Sequence, residues 1–389
     1  MTNKSVEVKV VADTITMSKN ITYLNELGDS GVENFYTDNS TNNSFNLHHD
    51  FLLNVNHGST TYAVILCIAT IIVNMTVVVG CLKDKDARRR GYFLQIINLS
   101  VANLCIGLFV IPLTVYHVLY NWHIGSAMCR IFIISDIFLP FTSMMVMILL
   151  NIEKQVIVTH PRLHLWLFDG SLQWLIVFIP WFVSFIVVVP IWTSGSIPLP
   201  NEPGECMVPI SFEAAILCPI ITYFVPLLAI IVLNLRLLLI KLNTTREGGT
   251  LTVSERIILK PTAYNQTSFD AEDANDEPSA IDATSKAMAG YIRSKRDDFT
   301  AVCTANLVFC TMWFPYQFVS FLLTLCVHST CTPSYELTQF VTWFGTSSAC
   351  AVPFCWFIDN EARNVIGTCC GKSKKKKSLQ RTNSNEVYL

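Results

Sequence analysis

Apolar residues in this chain come in long runs, approximately 60–82, 93–119, 127–158, 170–192, 212–241, 297–327 and 335–357, separated by polar connections. Each run reaches the ~20 residues that a helix needs to cross a bilayer core at about 1.5 Å per residue. Strand alternation is absent over these windows, which sets aside a membrane β-barrel, the other structure able to satisfy its backbone in lipid. The pattern predicts an all-α membrane protein, a seven-transmembrane helix bundle, over residues 60–358. Residues 1–59 form a polar segment ahead of it. Residues 359–389 begin with "DNEARNVIG", read as a short cytosolic amphipathic helix, and continue as a tail.

Composition agrees with lipid as the solvent. The chain is 51% hydrophobic and 14% charged, with a mean hydropathy of +0.43, which leaves too little polar surface to cover a water-soluble protein of this size. Charge then sets the orientation. If residue 1 is outside, the outer pieces hold only Lys4, Lys9, Lys19 and Arg130, and every other Lys and Arg falls inside, including Arg88, Arg89, Arg90 and the run 374–377. This positive-inside bias predicts a plasma-membrane, multi-pass protein with its N-terminus extracellular and its C-terminus cytoplasmic. N-x-S/T acceptors at Asn3, Asn20, Asn39 and Asn42 lie on the outer side, where glycosylation operates. The third intracellular loop, about 243–288, has few large apolar residues and reads as a disordered insert.

The 14 cysteines sort by compartment. Cys129 at the start of the third run and Cys206 after the fourth share the oxidising side and can form a disulfide; Cys326 and Cys331 are a possible second pair. Cys369 and Cys370, beside the cytosolic basic run, are candidates for palmitoylation. Metal spacing is missing, no nucleophile and base stand together, and no cofactor or nucleic-acid partner is implied. The chain reads as a non-enzyme.

"NLSVANL" (98–104), Trp122 seven residues before Cys129, Trp181 with Pro190, "TYFVPL" (222–227), "FCTMWFP" (309–315) and "WFGTSSACAVP" (343–353) occur in order on successive runs. Over roughly 60–370 the sequence resembles the rhodopsin-like G-protein-coupled receptors. Light sensing is excluded, because 335–357 has no Lys to form a retinal Schiff base.

Asp136, seven residues or about 10 Å of helix beyond Cys129, is an acid inside an apolar run, expensive unless compensated and so a functional suspect. The resemblance to biogenic amine receptors implies that Asp136, beside Ile137, is the counter-ion of a small cationic ligand, through a charge-assisted hydrogen bond. A structural acid paired with a protein donor is the competing reading. Trp313, Tyr316 and Trp343 offer aromatic faces to an ammonium, or pack between helices. Cys218 and Thr222 stand where catecholamine receptors often carry serines, Gln317 where an aromatic is usual, and Thr346 where a supporting tyrosine is common. Pro140 removes a backbone bond one turn below Asp136 and is expected to kink the helix.

At the other end of the third run, Glu153, Lys154 and Gln155 take the place of the family's Asp-Arg-Tyr. Lysine keeps the charge but loses the planar fork of donors. Lys295 stands where many receptors carry the acid that latches that arginine, so attraction becomes repulsion. Asn234 replaces a fifth-helix Tyr, Asn103 the second-helix Asp, and Val352 and Trp356 the Asn and Tyr around Pro353. Ser143 and Ser348 remain, but with a charge and a ligand gone no sodium site is expected. The resemblance implies signalling through heterotrimeric G proteins, with atypical coupling or basal activity. Its alternative is a ligand-binding or heteromerising receptor without strong signalling. Arrestin or another receptor would be a further partner, and the bilayer is implied throughout.

Overall fold

The computed structural model describes residues 39–120, 122–194, 206, 211–246, 299–325 and 334–367. They fold into nine helices: α1 (Asn39–Lys83), α2 (Gly91–Leu119), α3 (Ser126–Thr159), α4 (Pro161–Leu167), α5 (Gln173–Ser194), α6 (212–246), α7 (Thr300–Leu325), α8 (335–357) and α9 (Asn360–Gly367). Six of these are long and apolar enough to span a membrane. The seventh span, α8, meets that test only together with α9, from which it is bent by 105°. The chain is thus a multi-pass helical membrane protein.

The spans begin and end within about three residues of the apolar runs, except at two places. Helix α1 starts at Asn39, well before its spanning part Gly58–Lys83, and α6 continues to Arg246. A helix satisfies its own backbone hydrogen bonds and so need not stop where the apolar run stops. Asn3, Asn20, Lys295, Cys326, Cys331, Cys369 and Cys370 lie outside the described residues, as do the side chains of Asn39 and Asn42.

Local signals set several ends. Ser211 accepts a bond from Ala214 N and Ser334 one from Leu337 N, each capping a helix start. Pro161 opens α4, where a missing N–H costs nothing. Gly125 precedes α3 with φ of 94°, a left-handed conformation that glycine adopts without strain, and its carbonyl accepts from the Trp122 indole at 2.9 Å. Helix α3 runs unbroken through Pro140. Five-residue π turns at Ile106–Val110 in α2 and Ile220–Phe224 in α6 change which residues face the interior. Within the spans several hydroxyls bond back to their own helix, as Thr142 does to Phe138 O and Thr346 to Thr342 O, which satisfies those groups inside an apolar layer.

The interior holds two apolar clusters. One surrounds Phe93, Met144, Met147, Leu150, Trp313 and Trp356; the other surrounds Trp122, Phe132, Ile133, Trp192 and Trp343 and includes both half-cystines of the Cys129–Cys206 disulfide. Outward, Trp174, Leu175, Phe178, Phe182 and Phe185 of α5 are more than half exposed, an apolar stripe that water would penalise and acyl chains accept.

Helix α9 lies against α1. A Cβ on Gly80 would sit 2.7 Å from Ile366 Cα, so only glycine permits this approach. Gly80→Ala is expected to destabilise the protein by about 1–3 kcal/mol, seen as a lower melting temperature in detergent. Gly58→Ala, with nothing within 4 Å, should leave the melting temperature unchanged or slightly raised.

Candidate functional site

Counting along α3 from Asp136 at helical spacing gives Ile137, Pro140, Phe141 and Met144, and these five residues form one wall of a cavity. Thr222 and Tyr223 from the π turn of α6 form a second wall. Phe309, Trp313, Tyr316 and Gln317 of α7, at the same kind of spacing, close the third. The space not filled by atoms is about 400 Å³, part of it open to solvent. Asp136 is the one formally charged side chain among the described lining residues.

The aromatic wall is fixed from behind. Trp313 donates its indole N–H to Ser348 Oγ at 2.8 Å and meets Tyr316 edge to face at 5.7 Å. Tyr223 donates its hydroxyl to Cys310 O at 2.7 Å, tying α6 to α7. Thr222 donates its hydroxyl to Cys218 O, leaving its lone pairs for a ligand donor.

Six of the residues expected at a ligand site are therefore brought together: Asp136, Ile137, Thr222, Trp313, Tyr316 and Gln317. Cys218, Trp343 and Thr346 are not among the described lining residues. Cys218 is buried one turn before Thr222. Trp343 turns to α1, donating its indole N–H to Ser59 Oγ at 2.7 Å and Gln339 Oε1 at 2.9 Å. Phe141, Met144, Tyr223 and Phe309 line the cavity without having been singled out in the sequence, although the spacing from Asp136 and from Trp313 points to three of them.

At the opposite end of α3 the three polar residues turn to three different neighbours. Glu153 Oε1 lies 3.3 Å from His164 Nε2 of α4, both side chains buried, and His164 Nδ1 lies 3.7 Å from Asp169. The Lys154 ammonium sits 3.9 Å from the centre of the Tyr92 ring on α2. Gln155 donates to Leu233 O of α6 at 2.9 Å. Asn234, one residue on, accepts from Cys303 Sγ at 3.1 Å and Asn306 Nδ2 at 3.3 Å on α7. His164 and Tyr92 carried no sequence signal of these contacts, which join residues 11 and 62 positions apart.

A bundle of seven spans with an acid-bearing cavity between its helices has the architecture of a membrane receptor. The sequence profile of the "7 transmembrane receptor (rhodopsin family)" matches residues 73–356, and the chain belongs to that family. It is a receptor, not an enzyme. It is 26% identical over 144 residues to the histamine H4 receptor of Mus musculus, covering 35% of this chain and 36% of that protein. To the alpha-1D adrenergic receptor of Rattus norvegicus it is 22% identical over 273 residues, 68% of this chain and 48% of the relative. To the melanin-concentrating hormone receptor 1 of Rattus norvegicus it is 27% identical over 146 residues, 36% and 41% of the two. The chain spans about a third to a half of the length of these relatives.

Midway along the bundle the family's sodium-binding constellation is altered in kind. Asn103 donates to Asn74 Oδ1 at 3.3 Å, and Asn74 donates to Thr70 O and Ala349 O. Val352 is buried three residues after Ala349, and Ser143 Oγ is buried without a hydrogen-bond partner. Neutral amides bonded to each other, a hydroxyl and a valine do not fit a hard monovalent cation, which needs charged or numerous oxygens. Replacing sodium by potassium at constant ionic strength is expected to leave the melting temperature of the purified protein unchanged; a sodium-dependent rise would contradict this donor set.

Proposed function

We propose that the chain is a plasma-membrane receptor for a small organic cation of the biogenic amine type, oriented with the disulfide end outside and the Glu153 end in the cytosol. The single observation that carries this reading is the placement of Asp136. Its carboxylate is the one formal charge on a described wall otherwise built from Phe141, Tyr223, Phe309, Trp313 and Tyr316 with apolar or neutral polar neighbours. A protonated amine entering that space meets one anion and several aromatic faces, which together select a cation with an apolar body. The histamine and adrenergic receptors among the relatives support an amine; the melanin-concentrating hormone receptor is the reason to include a cationic peptide among the probes.

The cytosolic end supports a transducer role of unusual form. Heterotrimeric G proteins are the proposed partners, with Glu153, Lys154, Gln155 and Asn234 shaping the surface they meet and Lys295 on the same side. The basic count on that side supports the orientation. Lys154 is only 4% exposed, and a lysine offers a point charge where the family's guanidinium offers a fork. Coupling is therefore weak or differently tuned. The same burial favours the second reading, a receptor that binds ligand or pairs with another receptor without strong G-protein activation.

A binding panel of protonated amines on cells displaying the protein tests the pocket. An amine should bind the wild type and lose about 30-fold or more of its affinity in Asp136→Asn, the usual scale for removing one partner of a buried charge pair. Equal affinity in the two proteins, or no amine binding to a receptor shown to reach the surface, contradicts it. A parallel nucleotide-exchange assay with Lys154→Arg separates the two readings: recovered or increased coupling assigns the weakness to the missing guanidinium, and absence of coupling in both proteins favours the non-signalling receptor.

A further inference from the structure

Lys154 is stowed rather than presented. Its ammonium lies over the face of Tyr92, a residue only 6% exposed near the start of α2. The Tyr92 hydroxyl donates to Asp359 Oδ2 at 3.0 Å. Asp359 in turn caps α9, its Oδ1 accepting from Glu361 N at 2.8 Å and Ala362 N at 3.3 Å. Arg90, next to Gly91 at the head of α2, pairs with Glu361 of α9 and lies over Phe93 at 4.7 Å. The start of α2 is thus bound twice to α9, and α9 is seated on α1 at Gly80. Tyr92 has a rigid backing, and the cation of α3 is laid against it.

A cation on a buried aromatic face is held by the ring quadrupole with little competition from water, the condition in which this attraction is strongest. The other ties at this end are of a different kind. Glu153 reaches α4 and Gln155 reaches α6, so neither binds the ammonium's partner. α6 and α7 are joined through Asn234, Cys303 and Asn306, independently of α3. Lys154 is the one residue of its triplet whose described contact leads to α2 and, through Tyr92, to the turn between α8 and α9.

We infer that Tyr92 is an autoinhibitory seat for Lys154: at rest the cation is clasped on α2, and a transducer gains it only by lifting it off the ring. This rests on the transducer reading above. Arginine at this position would spread its charge over a planar fork with donors at its edges, whereas lysine carries one compact charge, and the charge held by the ring is the one a transducer would meet. The identity of residue 92 therefore sets how much of the population presents the charge.

The test is lysine acylation of the full-length protein in lipid nanodiscs, followed by mass spectrometry, with exposed Lys85 as the internal reference. In the wild type Lys154 should react more slowly than Lys85. Tyr92→Leu, and Tyr92→Met as a second ring-free variant should leucine fail to fold, should speed Lys154 labelling relative to Lys85 by about 2- to 30-fold, the factor equivalent to a cation–π contact at an exposed to a desolvated site. Tyr92→Phe keeps the face and should keep the wild-type rate. Unchanged labelling in the ring-free variants, or equal acceleration in Tyr92→Phe, overturns the clasp; the latter would place the restraint in the Asp359 bond. Basal nucleotide exchange on the same samples should rise with labelling. Faster labelling with no exchange on any G protein leaves the clasp standing and removes the transducer reading. Measurable exchange with unaltered labelling does the reverse.

Discussion

A charge taken out of water must be matched, and of the four formal charges on α3 only Arg130 is exposed; Asp136, Glu153 and Lys154 are at least half-buried. The surroundings of each are best understood as answers to that cost. At the inner end an imidazole faces Glu153 and an aromatic ring faces Lys154. At Asp136 the carboxylate borders a cavity whose other walls are aromatic, apolar or neutral. In the proposed function that carboxylate is the group that a ligand's ammonium meets.

The supports behind each charge share a design in which backbone-bonded groups hold the groups that do the recognising. Trp313 is steadied by Ser348, Tyr223 by the carbonyl of Cys310, and Tyr92 by Asp359. Each of these bonds crosses between helices or to the turn behind one, so the walls are set by tertiary contacts made in an environment where unpaired donors are costly. The disulfide adds a covalent tie at one end, joining the head of α3 to the connection after α5. At the other end Gly80 lets α9 approach closely enough for the Asp359 turn to back the α2 start.

Much of the fold was legible because the bilayer imposes a simple rule on sequence, a minimum apolar length. Six spans obey it alone. The seventh is harder to read, since Thr338, Gln339, Thr346, Ser347 and Ser348 are buried in it and its last turn tightens to a 3-10 helix at Val352–Phe357. Asp136 stood out by residue type, an acid inside an apolar run, while Trp313 and Tyr316 were singled out through the resemblance to the receptor family. Trp343 was not, because its direction is decided by Ser59, a partner nearly the whole chain away. Tyr223 depends on a π turn that no local signal announces. Tyr92 and His164 became meaningful only once folding had brought them to α3, and Asp169 once it had been brought to His164, which no periodicity within a single helix encodes.

In the proposed function the Asp136 charge is matched by a charge on the ligand, and a double-mutant cycle measures that term alone. Affinities of a bound amine and of its uncharged isostere, in which carbon or oxygen replaces the ammonium nitrogen, are compared on the wild type and on Asp136→Asn. The account predicts a coupling of about 2 kcal/mol or more, within the scale observed for close charge pairs: the amine loses affinity in the variant and the isostere does not. Equal losses for both ligands, giving a coupling near zero, would show that Asp136 acts through the fold and not on the ligand's charge.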